Sequence, residues 1–380
     1  MKPYVRISLF LCLFIFIRVS VCSAEMAFST GIRTDIFTDD RSPKTMAHEI
    51  TAPLGFSWRR NQLLMLLETA YSSAHVYAEN ESSNLSSLTD TRFSASYGLL
   101  NLPVGIIFGL DMNLPTGKAT LTERERWAEI GENGDLFEVD NFGEGWNFGP
   151  NIGVAKEFGS VGVGGNLAYL FRGEYDPSAD IPDDNLGPGD QALLLGYLKW
   201  QAAARTLLDG FLSYTVFTED TINGEESFQE GDKFGIGLNV QSTYKALSIA
   251  VRFQQAIQGK NKELGLDNRL VAEPENSNGT ESFGLLDMMY KYSPTFNFRV
   301  LGDVRYYAES DRMDELKKLP FQGKRIRYAA GVGFIYNIDL HLSLNGLVKY
   351  FVLDKAKALY LSEDTSFQGT NLSLGLTYRL

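Results

Sequence analysis

Cysteine is almost missing from this chain. There are two in 380 residues, Cys12 and Cys22. Two thiols cannot frame a disulfide-dense scaffold. An excess of basic charge is missing too: 35 Lys+Arg stand against 47 Asp+Glu, a formal net charge of -12. That excludes a basic nucleic-acid binder, because phosphate contacts need clustered Lys and Arg. Proline is sparse at 12 and glycine reaches 36 without a triplet period, which removes a collagen-like chain. A hydrophobic content of 44% is too high for a disordered chain. No Walker loop, nucleotide fingerprint or zinc-ligand spacing occurs, so neither cofactor nor metal site is expected. After residue 24 there is also no apolar stretch of about 18 residues, which leaves no transmembrane helix.

The first 24 residues read as a leader rather than as part of the fold. Lys2 and Arg6 precede an unbroken apolar run from Ile7 to Ile17, too short to span a bilayer but of the right size for a signal-peptide core. Ala24 is a small residue at a plausible cleavage point. A lipid-anchored alternative would need a small residue directly before Cys22, where Val21 stands. Cleavage after Ala24 assigns 1–24 to the signal peptide and 25–380 to the mature domain, and removes both cysteines. An exported, cysteine-free, acidic chain suits a compartment beyond the inner membrane.

What the mature chain has in quantity is period-two alternation, the mark of strands. In the last segment Leu372, Leu374, Leu376, Tyr378 and Leu380 oppose Asn371, Ser373, Gly375, Thr377 and Arg379. Phe234, Ile236, Leu238 and Val240 oppose Lys233, Gly235, Gly237 and Asn239. The runs are long for an ordinary sheet and suit a tilted membrane strand of roughly 9 to 11 residues or more. One face is apolar; the other carries Gly, Ser, Asn and single charges, as a wet lumen would.

The spacing predicts strands near 26–38, 46–58, 62–77, 89–100, 103–113, 145–157, 160–174, 189–202, 205–219, 231–244, 246–258, 281–292, 295–308, 325–337, 339–353 and 367–380. Fourteen remains open, because 26–38 and 189–202 alternate poorly. Connections alternate in length. Short ones are expected at Arg59–Asn61, Asn101–Leu102, Phe158–Gly159, Ala203–Ala204, Lys245, Ser293–Pro294 and Ile338. Long ones are expected near 39–45, 78–88, 114–144, 175–188, 220–230, 259–280, 309–324 and 354–366. The fold class is therefore all-β: a transmembrane antiparallel up-and-down β-barrel of about sixteen strands, with short periplasmic turns and long extracellular loops. A secreted β-sandwich or β-helix would share the alternation and the leader; strand length and loop asymmetry favour the barrel.

The terminal strand resembles the assembly signal of Gram-negative outer-membrane proteins, with Tyr378 third from the end and an apolar last residue, here Leu380. Asp90 to Leu100, followed by Gly109-Leu110-Asp111-Met112-Asn113-Leu114-Pro115-Thr116-Gly117, resembles a hairpin of the FadL-type channels for hydrophobic compounds and of the related phenol meta-pathway outer-membrane proteins. The resemblance implies passive uptake of small molecules, hydrophobic or aromatic ones favoured. It also implies a place in the cell outer membrane among lipid and lipopolysaccharide, with recognition by the barrel-assembly machinery through the last strand. The N-terminal plug of FadL-type channels has no counterpart here.

Two sites follow from position. Projected inward, Glu68, Arg92, Asp111, Asp209, Arg252, Asp287, Lys291, Arg299, Asp303, Arg305, Arg327, Lys349 and Arg379 would line a lumen and set a transverse field; paired with each other, the same charges would simply fill a closed barrel. The second is the longest connection, 114–144, in which Leu121 to Ile130 favours a helix with Thr120 or Thr122 as N-cap. Glu123, Arg124, Arg126, Trp127 and Phe137 are its constriction-loop residues, if it folds inward. The enzyme reading has one motif, His341-Leu342-Ser343 followed by Asn345, similar to the His-x-Ser pair of outer-membrane phospholipases. It lies on the polar face, away from lipid, so the expectation is a non-enzyme. The remaining alternative is a structural or surface-binding barrel with a plugged lumen.

Overall fold

The computed structural model describes residues 25–380, apart from 41–44, 79–80, 130–135, 138, 140, 182–183, 315–318, 360 and 362. The expected leader, 1–24, lies outside the described residues.

The wall is a single antiparallel sheet. In chain order it comprises β1 (Glu25–Asp39), β2 (Thr45–Arg60), β3 (Leu63–Ala78), β4 (Glu81–Leu88), β5 (Thr91–Leu99), β6 (Gly105–Leu114), β7 (Asn147–Phe158) and β8 (Val161–Arg172). After the two-residue β9 (Leu186–Gly187), which lies outside it, the wall continues with β10 (Gln191–Ala203) and β11 (Thr206–Phe217). Beyond the hairpin β12 (Glu219–Ile222) and β13 (Glu225–Gln229) come β14 (Lys233–Tyr244) and β15 (Leu247–Gln258). Beyond β16 (Lys262–Leu264) and β17 (Leu270–Ala272) come β18 (Glu281–Lys291), β19 (Phe296–Tyr307), β20 (Arg325–Asn337), β21 (Leu342–Lys355) and β22 (Thr365–Arg379). The sheet closes on itself: β1 pairs antiparallel with β22 from Ala27↔Arg379 to Asp39↔Phe367. The first and last strands thereby leave no open seam, which a wall in lipid requires.

β4 and β5 are two pieces of one barrel strand. β4 pairs with the outer half of β3, Tyr71↔Leu88 to Ala78↔Glu81, and β5 with its inner half, Leu63↔Tyr97 to Glu68↔Arg92. Counted so, the barrel has sixteen strands. This corrects the long loop expected at 78–88. The segment Glu81–Leu88 is polar on both faces apart from Leu85 and Leu88, because it rises above the apolar belt, so the inside-outside contrast fades where the strand continues.

The long connections are more ordered than loops. β9, β12, β13, β16 and β17 form a second, five-stranded sheet beyond the barrel wall. Its β12–β13 hairpin turns at Asn223 and Gly224, both with positive φ (53° and 81°), as a two-residue hairpin of this hand demands. At the other end the turns are tight, with Asn61, Gly159 and Lys245 in the left-handed region.

Side chains sort by parity. Phe28, Ile32 and Ile36 of β1, Leu194 and Leu198 of β10 and Leu372 and Leu374 of β22 all stand exposed on the outside. So large an apolar exterior would be costly in water and is what a lipid-facing barrel presents.

Candidate functional site

The inner face begins with register. Asp35 lies opposite Glu49 on β2 and Asn371 on β22, and Phe37 opposite Gly369, which places the odd residues of β1 inside. Carried round the barrel, the same parity puts Glu68, Arg92, Asp111 and Asp209 on the inside of β3, β5, β6 and β11. Arg252 is inside on β15, Asp287 and Lys291 on β18, and Arg299, Asp303 and Arg305 on β19. Arg327, Lys349 and Arg379 are inside on β20, β21 and β22.

Several of these charges pair. Arg299 grips Asp287 with two hydrogen bonds, Nε to Oδ1 at 2.9 Å and Nη2 to Oδ2 at 2.7 Å. Asp303 is shared: its Oδ1 accepts from Arg327 Nη1 at 2.7 Å and its Oδ2 from Lys349 Nζ at 3.2 Å. Asp111 accepts from Ser94 at 2.6 Å and from Asn151 at 3.0 Å, and Asp209 accepts from Asn239 at 2.9 Å. Buried charge must be held this way or forfeit several kcal/mol.

Exposure divides the inner face in two. From mid-barrel toward the short-turn end, Glu68, Arg92, Arg252, Lys291 and Arg379 point inward and are nevertheless exposed. Lys291 and Arg379 end their strands at the rim, but Glu68, Arg92 and Arg252 lie within the wall, so open space lies beside these three inside the cylinder. Toward the long-loop end the inward residues are buried: Asn113, Asn147, Gln191, Thr215, Phe351 and Phe367 among them.

The connection between β6 and β7 packs into that outer half. Its helix α1 (Glu123–Glu129) is started by a reciprocal cap. Thr122 Oγ1 accepts from Glu125 N at 3.2 Å, while a Glu125 carboxylate oxygen accepts from Thr122 N at 3.1 Å. Burial pushes the Glu125 carboxyl up, but its bonds from Lys118 and Thr122 outweigh that and hold it below the ordinary glutamate value. Arg124 Nε donates to Ser82 O at 2.9 Å and Arg126 Nη2 to Pro177 O at 2.9 Å, so both fasten the helix to its surroundings. The Glu123 amide donates to Asp180. Trp127 points away and is 59% exposed.

Past the helix the chain turns inward. Phe137 is 4% exposed and sits 5.0 Å from the Phe37 ring, which also meets Phe367 at 6.0 Å. Leu121, Ala128, Leu136, Val139 and Phe142 join inward residues of β1–β4 and β20–β22, including Ala47, Leu85 and Leu353, in one apolar cluster. Under it Val139 N donates to Glu49 at 3.3 Å, and Glu49 also takes the Ser72 hydroxyl at 2.9 Å. Both ends of the connection are tied to one carboxylate. Asp90 accepts from Gly117 N at 2.9 Å, Glu144 N at 2.9 Å and Asn113 Nδ2 at 2.6 Å. Gly117 has no room for a Cβ, which would strike the Phe142 carbonyl oxygen.

The sequence reading missed Asp35 and Glu49, both wholly buried, and with them the polar floor of the cluster. The one available signal was Arg33, two residues before Asp35 and bonded to it at 2.9 Å. His341 and Ser343 do not meet. His341 lies in the turn before β21 with Nδ1 against Arg379 O at 2.8 Å, and Ser343 is buried on the inner face with Asn345 also pointing inward.

No protein-family model matches the chain, and no curated protein matches it. Among solved structures it is similar to a deltaS2S3 mutant of the monoaromatic hydrocarbon channel TodX, with 11% identity, 94% of this chain and 91% of that chain covered, and a TM-score of 0.47. It is likewise similar to OccK7 (OpdD) of Pseudomonas aeruginosa, at 11% identity over 94% of this chain and 99% of that one, with a TM-score of 0.46. A third, the monoaromatic hydrocarbon channel CymD, gives 13%, 93% and 88%, with a TM-score of 0.42.

Proposed function

We propose that the chain is an outer-membrane channel through which small molecules cross passively, hydrophobic or aromatic compounds being the favoured class. Leu121, Ala128, Leu136, Phe137, Val139 and Phe142 form its constriction. The observation that carries this is the exposure of Glu68, Arg92 and Arg252 while they point into the cylinder: the inner half is not filled by side chains. The apolar exterior supports a lipid setting, with lipopolysaccharide around the outer rim, and the alternation of β22 supports its recognition by the assembly machinery. The solute class rests on the hairpin resemblance around Asn113–Gly117 and on aromatic side chains that the register turns inward, Tyr197, Phe211 and Phe283.

Purified full-length protein in a planar bilayer tests the reading. Discrete conductance steps are expected. Phe137→Ala removes the ring that seats the segment against Phe37, a loss of about 3 to 5 kcal/mol for a buried Phe, and should raise the open fraction or the step size. A folded barrel that never conducts, with Phe137→Ala equally silent, would show a plugged structural barrel instead.

A further inference from the structure

Charge on the inner face is segregated by wall. Along β15 and β18–β22 the register turns nine Lys and Arg inward against three carboxylates, Glu281, Asp287 and Asp303. Along β1–β8, β10, β11 and β14 the balance reverses, to six basic residues against nine acidic ones. One wall is thus strongly positive and faces a mildly negative one. The sign is opposite to that of the whole chain, whose net charge is -12; the acidity resides outside the lumen.

The positive wall also reaches the open inner half. Arg252 and Lys291 are exposed to the lumen and, among the described residues, make no ion pair; their cross-strand neighbours are Asn239 and Leu285, and Asn297. Higher up the wall is paired: Arg299 with Asp287, Arg305 with Glu281, and Arg327 and Lys349 both with Asp303. An ion in a narrow wet passage feels charges such as Arg252 and Lys291 far more than it feels loops beyond the rim.

We propose that the channel selects anions, and that its solutes are small organic molecules carrying a carboxylate. The positive wall draws the carboxylate, and Phe283, which lies between Gln254 and Arg305 in the register and carries the Arg305 guanidinium over one face at 5.7 Å, sets an aromatic ring beside that charge for the remainder. This rests on the channel reading, and it makes a prediction that the net charge of the protein would invert.

The test is the reversal potential of the full chain in a planar bilayer under a potassium chloride gradient, followed by replacement of chloride with benzoate. At low salt chloride should permeate at least about threefold better than potassium, and the ratio should fall toward unity near 1 M, where screening shortens to about 3 Å. Benzoate should carry current. Arg252→Glu with Lys291→Glu should lower the ratio; Lys291→Gln alone, at the rim, gives a smaller drop in the same direction should the double variant fail to fold. Conduction with potassium preferred, or an anion preference untouched by either variant, overturns the proposal and leaves the channel standing. A silent barrel removes the channel reading and this one with it.

Discussion

Single residues in this barrel are asked to hold several partners at once. Asp90 is the clearest case, a buried carboxylate that takes amides from both ends of the 115–146 connection and the Asn113 side chain between them. Hydrogen bonds to a charged acceptor contribute about 1.5 to 3 kcal/mol each and are not additive. Asp90→Ala should therefore cost about 3 to 5 kcal/mol of local stability. The expected outcome is rapid protease nicking within 115–146 while the barrel keeps its compact, heat-sensitive gel mobility; unchanged protection would show that the aromatic seat alone holds the segment. Asp303 plays a similar part lower down, where one carboxylate accepts from two cations, Arg327 and Lys349.

At the scale of elements, α1 shows how little a short helix carries by itself and how much its cap matters. Seven residues are marginal in isolation, so the Thr122–Glu125 box and the Lys118 partner decide whether the turn persists. Because the Glu125 carboxyl is held below its ordinary value of 4.5, its contribution is complete above that value and is lost as pH falls through the lower, folded one. Protection of the segment from an acid-active protease should weaken across that acid range in the parent chain. In Glu125→Gln it should be weaker at neutral pH and flat with acidity. Thr122→Ala should cost about 1 kcal/mol at either pH. The helix was legible from the helix-forming run Leu121 to Ile130 with a threonine before it, and the strands were legible wherever an apolar belt gives period two its contrast. β4 was not, since Ser82, Ser83, Ser86 and Ser87 occur on both faces. Nor was the second sheet, whose strands of two to five residues are set by pairing between distant connections such as Phe228↔Glu263. The inward parity of Arg252 or Lys349 could be read from neighbours two residues away. That Asp35 would face Glu49 required the register between strands, and period two alone does not fix a register.

The whole molecule is a cylinder with an open inner half and a filled outer half, and its integrity depends on closure. Removing residues 365–380 deletes β22, exposing the edges of β1 and β21 along their whole length. In hydrocarbon such edges have nothing to bond to. The truncated chain should give no heat-sensitive compact band and should aggregate when transferred from denaturant to detergent; a folded, inserted product would mean the wall can close without its last strand.

That seam also sets an order of events. Ala27 is zipped to Arg379, so β1 must wait, unpaired on one side, until β22 has arrived. A polypeptide halted anywhere short of this is an open sheet with two hungry borders. The same join brings the start of β1 and the end of β22 to the short-turn mouth, so reporters joined directly to these two points would sit on one side of the membrane as near neighbours.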